Sequence, residues 1–185
     1  HPACAVVNLG CGLDCTAENN AGEGRKIYNI DRPDVIAVRN ELIPPAENVT
    51  NIGADLNDTA WFDAIDDSKG VIYYFLSSDI QKLFTAMAER FKGGRLCFDA
   101  ANKKAVKLML KTWVKAAGIT DIDRYFYINN LDTDLKAWLP EAEISAKGYM
   151  LGYYDLKTPS VSGFFRFLAK VGDGYMQMRI VRINF

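Results

Sequence analysis

Short apolar runs of strand length alternate with stretches of helical character along the first two thirds of the chain, and this alternation restricts it to an α/β fold. The first run, Ala5-Val6-Val7-Asn8-Leu9, is nearly continuous in apolar residues and ends in Gly10-Cys11-Gly12, as a buried parallel strand entering a tight turn does. Lys26 to Asp31 is a second strand, closed by an acid and then Pro33. Between the two, Asp14 to Gly24 allows only a short, poor helix, because Asn19-Asn20 and two glycines lower its propensity. Pro33 suits the first turn of the next helix, whose Val35, Ile36, Val38, Leu42 and Ile43 share one face until Pro44-Pro45 ends it. Val49 to Ile52 is predicted as strand three, Trp61 to Ile65 as a short helix, and Gly70 to Phe75 as strand four. Asp79 is expected to cap a helix that runs to Phe91, where Gly93-Gly94 stops it before a fifth strand, Arg95 to Asp99. A basic amphipathic helix follows from Asn102 to Ala117, with Val106, Leu108, Met109, Leu110 and Trp113 facing inward.

The last third changes character. Tyr125 to Phe167 is rich in aromatics and carries Pro140 and Pro159, while Tyr175 to Phe185 alternates apolar and polar residues. That alternation marks a half-exposed strand, antiparallel and at the sheet edge. The expected architecture is a Rossmann-like three-layer sandwich: a mostly parallel seven-stranded sheet, helices on both faces, and an antiparallel C-terminal edge strand. A length of 185 residues with 49% hydrophobic content fits one domain, residues 1–185.

The charge balance narrows the partners. With 22 basic against 23 acidic residues and a net charge of -1, no broad field exists to attract a polyanion, which argues against nucleic acid and membrane surface. No run approaches the roughly 18 apolar residues that span a bilayer, and the start, His1-Pro2-Ala3-Cys4, lacks the pattern of a signal peptide, so a cytoplasmic location is expected. Four cysteines, at 4, 11, 15 and 97, form no C-x-x-C pair, and His1 is the single imidazole, so no metal site is expected.

In an open parallel sheet, ligands bind beyond the carboxyl ends of the strands. Gly10-Cys11-Gly12 lets backbone approach a ligand closely at the start of a helix. Asp31 stands at the end of strand two, near the spacing at which a carboxylate accepts hydrogen bonds from ribose hydroxyls. A dinucleotide fingerprint would place its third glycine at position 15, which is Cys15. Asp55, after strand three, is positioned either to accept from an adenine amino group, with Leu56 covering the ring, or to cap a turn.

Val7-Asn8-Leu9-Gly10-Cys11-Gly12-Leu13-Asp14 and Tyr28-Asn29-Ile30-Asp31-Arg32-Pro33-Asp34-Val35-Ile36 resemble the first two motifs of the leucine carboxyl methyltransferase-like family. Ala54-Asp55-Leu56, Tyr73-Tyr74-Phe75, Phe98-Asp99-Ala100 and the ending Arg179 to Phe185 are similar to its polyketide O-methyltransferase branch, within the class I S-adenosylmethionine-dependent methyltransferases. The resemblance implies S-adenosylmethionine as cofactor, bound by Gly10, Cys11 and Gly12, with Asp31 on the ribose, Arg32 beside it, and Asp55-Leu56 at the adenine. Three departures accompany it. The family continues its first motif as Leu-Asp-Thr-Arg, where this chain has Asp14-Cys15-Thr16; the fourth strand is compressed to Lys69-Gly70-Val71-Ile72; and the helical segment that precedes the family's first strand is expected to be absent.

Methyl transfer is an in-line displacement at a sulfonium, so positioning and exclusion of water dominate. Tyr73 and Tyr74, at the far end of the fourth-strand segment, are candidates to stabilise the sulfonium or orient the acceptor, and Asp99, closing strand five, is a candidate base. The expected partner is a small-molecule acceptor met by the aromatic segment 125–167, and a homo-oligomer is compatible with the sequence. Two alternatives remain open: a module that binds S-adenosylmethionine or S-adenosylhomocysteine without turnover, and a nicotinamide-dependent oxidoreductase, which shares the early glycines and Asp31 but explains neither Asp55-Leu56 nor the terminal alternating strand.

Overall fold

The computed structural model describes residues 5–20, 24–65, 68–71, 77–114 and 126–185. It divides into two units, one of residues 1–74, 82–96 and 184–185, the other of residues 75–81 and 97–183.

In the first unit the strands β1 (Ala5–Leu9), β2 (Ile27–Asp31), β3 (Val49–Gly53) and β4 (Ser68–Val71) are parallel and lie in the order β3-β2-β1-β4. Val7 stands opposite Tyr28 on one side and Gly70 on the other. β2 is buried from Ile27 to Ile30, the continuous burial of an inner parallel strand covered on both faces. Strand β4 begins two residues before the predicted start, and the rest of the expected strand, with Tyr73 and Tyr74, lies outside the described residues.

The helices follow the start and stop signals closely. α1 (Thr16–Asn20) is short, as its asparagines require, and α2 (Pro33–Leu42) opens on its proline and ends before Pro44. α2 buries only part of the predicted apolar face. Ile36 and Arg39 are buried, whereas Val38 and Leu42 are exposed, because the Arg39 side chain is drawn inward by polar partners described below. A 3-10 helix spans Thr59–Ala64, and Trp61, Phe62 and Phe91 stack edge to face with centroids 4.4 and 5.1 Å apart. α3 (Ser77–Arg90) starts before Asp79, which sits in its first turn rather than at its cap. Gly93, at φ +74°, ends it; Gly93 N–H donates to Phe185 C=O (3.0 Å) and Phe185 N–H to Gly94 C=O (2.9 Å), an antiparallel exchange.

β5 (Arg95–Ala100), β7 (Arg179–Asn184) and β6 (Glu143–Gly148), most of whose residues belong to the second unit, lie in the order β5-β7-β6. Asn102 N–H donates to Met176 C=O (3.0 Å) and Tyr149 N–H to Met178 C=O (3.0 Å), so the residues entering β7 meet those leaving both neighbours. The terminal strand is therefore antiparallel as predicted but interior to these three strands. The marginal position belongs to β6, whose Glu-Ile-Ser-Ala-Lys-Gly sequence carries little strand signal. Val181 and Ile183, alternating along β7, are fully buried. α4 (Lys103–Met109), capped by the Asn102 side chain, buries Val106 but leaves Leu108 and Met109 exposed, and passes into a π-helical turn at Leu110–Val114. α5 (Gly163–Lys170) begins at Ser162, whose hydroxyl accepts from Phe165 N–H, and it buries Ala169 alone. Phe164, Phe165, Phe167 and Leu168 are exposed on it. Among the described residues no helix is long and apolar enough to cross a membrane.

Candidate functional site

The carboxyl ends of β1, β2 and β3 fall along one edge of the parallel sheet. Gly10 N–H and Cys11 N–H both donate to Ile30 C=O, at 2.8 and 3.2 Å, so the turn after β1 folds over the end of β2. Ala54 N–H donates to Asp31 C=O at 2.9 Å, which draws the end of β3 alongside. Gly10-Cys11-Gly12, Asp31 and Ala54-Asp55-Leu56 thus form one row, as strand-end binding sites in such sheets require.

Gly12 is the centre of this row. Its φ of +50° lies in the left-handed region, as does Gly10 at +69°, and a Cβ built on Gly12 would meet no described residue within 4 Å. Space therefore lies open above the turn. Gly12 N–H donates to Asp31 Oδ2 at 2.8 Å, and the other carboxylate oxygen accepts from Arg32 N–H at 2.8 Å. On its other side, Gly12 C=O accepts from Arg39 Nη1 at 2.8 Å. Arg39 is fully buried, and its Nη2 pairs with Glu18 Oε1, which also accepts from Asn29 Nδ2 at 2.8 Å. The same Nδ2 reaches Asn51 Oδ1 at 2.9 Å, and Asn51 donates onward to Asn40 Oδ1 at 2.7 Å.

Cys11 points into the core. Burial pushes its thiol up to about 11, against the opposing pull of the Arg39 guanidinium, so at neutral pH it is an inert packing group and contributes to the turn through its backbone. Arg32 offers its N–H to Asp31 while its exposed guanidinium forks onto Asp34, at 3.1 and 2.8 Å. The exposed Asp55 caps its own turn, its Oδ1 accepting from the N–H and side-chain amide of Asn57 at 2.9 and 3.0 Å, and Leu56 is buried. Asp99 stands in β5, in the second unit, half-buried.

Sequence reasoning missed the polar layer beneath the turn. Arg39 follows Ile36 by three residues and so shares its face, and Asn29 interrupts an otherwise apolar strand; those two positions were the available signals.

Residues 2–88 match the sequence profile of the leucine carboxyl methyltransferase family. Tetracenomycin polyketide synthesis O-methyltransferase TcmP of Streptomyces glaucescens is 27% identical over 108 residues, an alignment that takes in 54% of this chain and 40% of that protein. The chain thus spans less than half the length of that relative. Among solved structures, an S-adenosylmethionine-dependent methyltransferase from Mesorhizobium loti is similar with a TM-score of 0.66 at 15% identity, over 99% of this chain and 91% of that one. The plantazolicin methyltransferase BamL, solved with S-adenosylhomocysteine, is similar with a TM-score of 0.64 at 11% identity, over 97% and 76% of the two chains. Residues 2–88 are therefore similar in sequence to the leucine carboxyl methyltransferase family, and the α/β fold is similar to that of methyltransferases of known structure.

Proposed function

We propose that the chain is an S-adenosylmethionine-dependent O-methyltransferase that acts on a hydroxyl or carboxyl group of a small molecule. The observation that carries this reading is Gly12: left-handed, open on its Cβ side, and tied by its N–H to a carboxylate at the end of the neighbouring strand. A turn without side chains lets backbone approach the methionine part of the cofactor, and Asp31, with lone pairs beyond those used by Gly12 and Arg32, suits the paired hydroxyls of a ribose. Leu56 gives an apolar cover for adenine and Asp55 an acceptor for its amino group. Arg32 serves through its backbone N–H, which fixes the Asp31 carboxylate. These residues fit the cofactor.

Bound S-adenosylmethionine supplies a methyl group on a positively charged sulfur. The chain's part is to hold the acceptor in line and keep water out. We assign Tyr73 and Tyr74 to orienting the acceptor. Asp99 would take the proton of a hydroxyl acceptor, and a carboxylate acceptor needs no base. In the same reading the two units are halves of one domain, 1–185, with a single seven-stranded sheet, the segment 125–167 meets the acceptor, and the protein works in the cytoplasm without nucleic acid or membrane.

Calorimetric titration with S-adenosylhomocysteine and NAD, followed by transfer of labelled methyl to a panel of phenols and carboxylic acids, tests the proposal. Cofactor binding with turnover of any member supports it. Binding without turnover on the whole panel would favour a non-catalytic module, and binding of NAD alone an oxidoreductase.

A further inference from the structure

Beneath the glycine turn lies a charge pair that packing alone does not require. Arg39 is entirely buried, yet among the described residues its Nε finds no acceptor, and Glu18 Oε2 and Asn29 Oδ1 are likewise buried without hydrogen bonds. A half-satisfied buried ion pair contributes less to folding than an apolar group of the same volume. What the pair does accomplish is specific. One arm of the guanidinium fork holds Gly12 C=O from below, the other holds Glu18 of the helix that follows, and Asp31 holds Gly12 N–H from the adjacent strand. The peptide groups on both sides of Gly12 are fixed, and the left-handed conformation that leaves the space above the turn open is fixed with them.

We propose that Arg39 and Glu18 are positioning residues for the cofactor: a buried arginine and a half-buried glutamate that touch no ligand but hold the Gly10–Gly12 turn in its binding conformation. The inference rests on the reading of this turn as the cofactor site. A lysine at 39 would keep the charge but has no planar fork to bond Gly12 C=O and Glu18 together. Cys11 provides an independent monitor. Its thiol is buried and its high pKa keeps it unreactive while the turn is closed over it, so loosening the turn exposes it to a thiol reagent.

The test uses the whole chain with Arg39→Lys and Glu18→Gln, reading S-adenosylhomocysteine affinity by calorimetry, alkylation of Cys11 by peptide mass spectrometry, and the melting transition. Leu135→Ala, a core truncation in the second unit, serves as a destabilised control. Loss of a hydrogen bond that involves a charged group changes an equilibrium constant by about ten- to a hundredfold. The expected result is an affinity loss of about ten- to a hundredfold in both variants, with faster Cys11 alkylation, while Leu135→Ala lowers the melting temperature and leaves affinity and alkylation unchanged. Unchanged affinity and alkylation in either folded variant would overturn the assignment. So would failure of both variants to fold, since the pair would then sustain the fold itself. If the wild type does not bind S-adenosylhomocysteine, the cofactor reading fails. The alkylation rates then decide on their own whether the pair fixes the turn.

Discussion

Replacing Asp31 with alanine perturbs the proposed site through one side chain whose partners are all defined. Its two carboxylate oxygens accept from Gly12 N–H and Arg32 N–H, each at 2.8 Å, and its backbone carbonyl, which the substitution keeps, accepts from Ala54. Hydrogen bonds to a charged acceptor contribute about 1.5–3 kcal/mol each when sheltered. Asp31 is half-buried, so water takes over part of the work, and the lower end of that range applies to the ribose contacts. The expected loss of S-adenosylhomocysteine affinity is about 1–3 kcal/mol, or roughly 5- to 150-fold. Folding should lose about 1–2 kcal/mol, mainly from the Gly12 N–H left without its acceptor. Asp31→Asn should fall between wild type and alanine for ligand binding, because one amide oxygen remains to accept while the amide nitrogen faces a backbone donor. Isothermal titration together with thermal melting separates the two effects. An Asp31→Ala protein that melts cooperatively and binds with wild-type affinity would remove Asp31 from the site and refute the strand-end argument.

Three further outcomes are expected. Gly12→Ala should cost about 1 kcal/mol of stability from the left-handed backbone, since its Cβ meets no described residue, but should impair cofactor binding more, because that Cβ enters the proposed cofactor space; normal binding in urea-characterised protein would place the cofactor elsewhere. Cys11 has a thiol pKa of about 11 in the fold against 9.0 for the free group, so the protonated form is favoured by folding. Its contribution is complete below pH 9 and is lost as pH rises through 11, a decline of about 2–3 kcal/mol that urea denaturation should record in the wild type and miss in Cys11→Ala. Tyr153 and Tyr154 are exposed, so Tyr153→Ala with Tyr154→Ala should leave melting within about 0.5 kcal/mol and cofactor affinity unchanged while lowering acceptor affinity; an unchanged acceptor profile with an altered oligomeric state would point to an interface instead.

Much of the strand-end turn was legible because its signals are local. A strand that runs into Gly-Cys-Gly, an acid closing the next strand and a proline opening the next helix each declare a backbone conformation within a few residues, and Gly10, Gly12, Asp31 and Pro33 stand where those signals put them. Arg39 was illegible for the complementary reason. Its burial depends on partners 21 and 27 residues away, and an arginine among Val38, Asn40 and Glu41 reads as part of a solvated face. The exposure of Leu108 and Met109 shows the same limit: helical periodicity gives the spacing of an apolar stripe, while the neighbouring elements decide how much of it is covered. β6 and α5 escaped because the alternation of Glu-Ile-Ser-Ala-Lys is built from weak strand formers, and α5, although Arg166 and Lys170 mark its polar face, spans only about two turns.

That apolar helix bears on how the protein behaves in a tube. Phe164, at 70% exposure, stands with Phe165, Phe167 and Leu168 on two turns of α5, and Tyr175 is exposed shortly after them. Contiguous apolar area of this kind makes colloidal stability depend on the solvent rather than on the fold. Sulfate and phosphate strengthen association of such surfaces. With a net charge of -1 there is little electrostatic repulsion to keep molecules apart. Work near the isoelectric point of 5.9, or in concentrated salting-out buffers, would therefore select for aggregates of properly folded molecules.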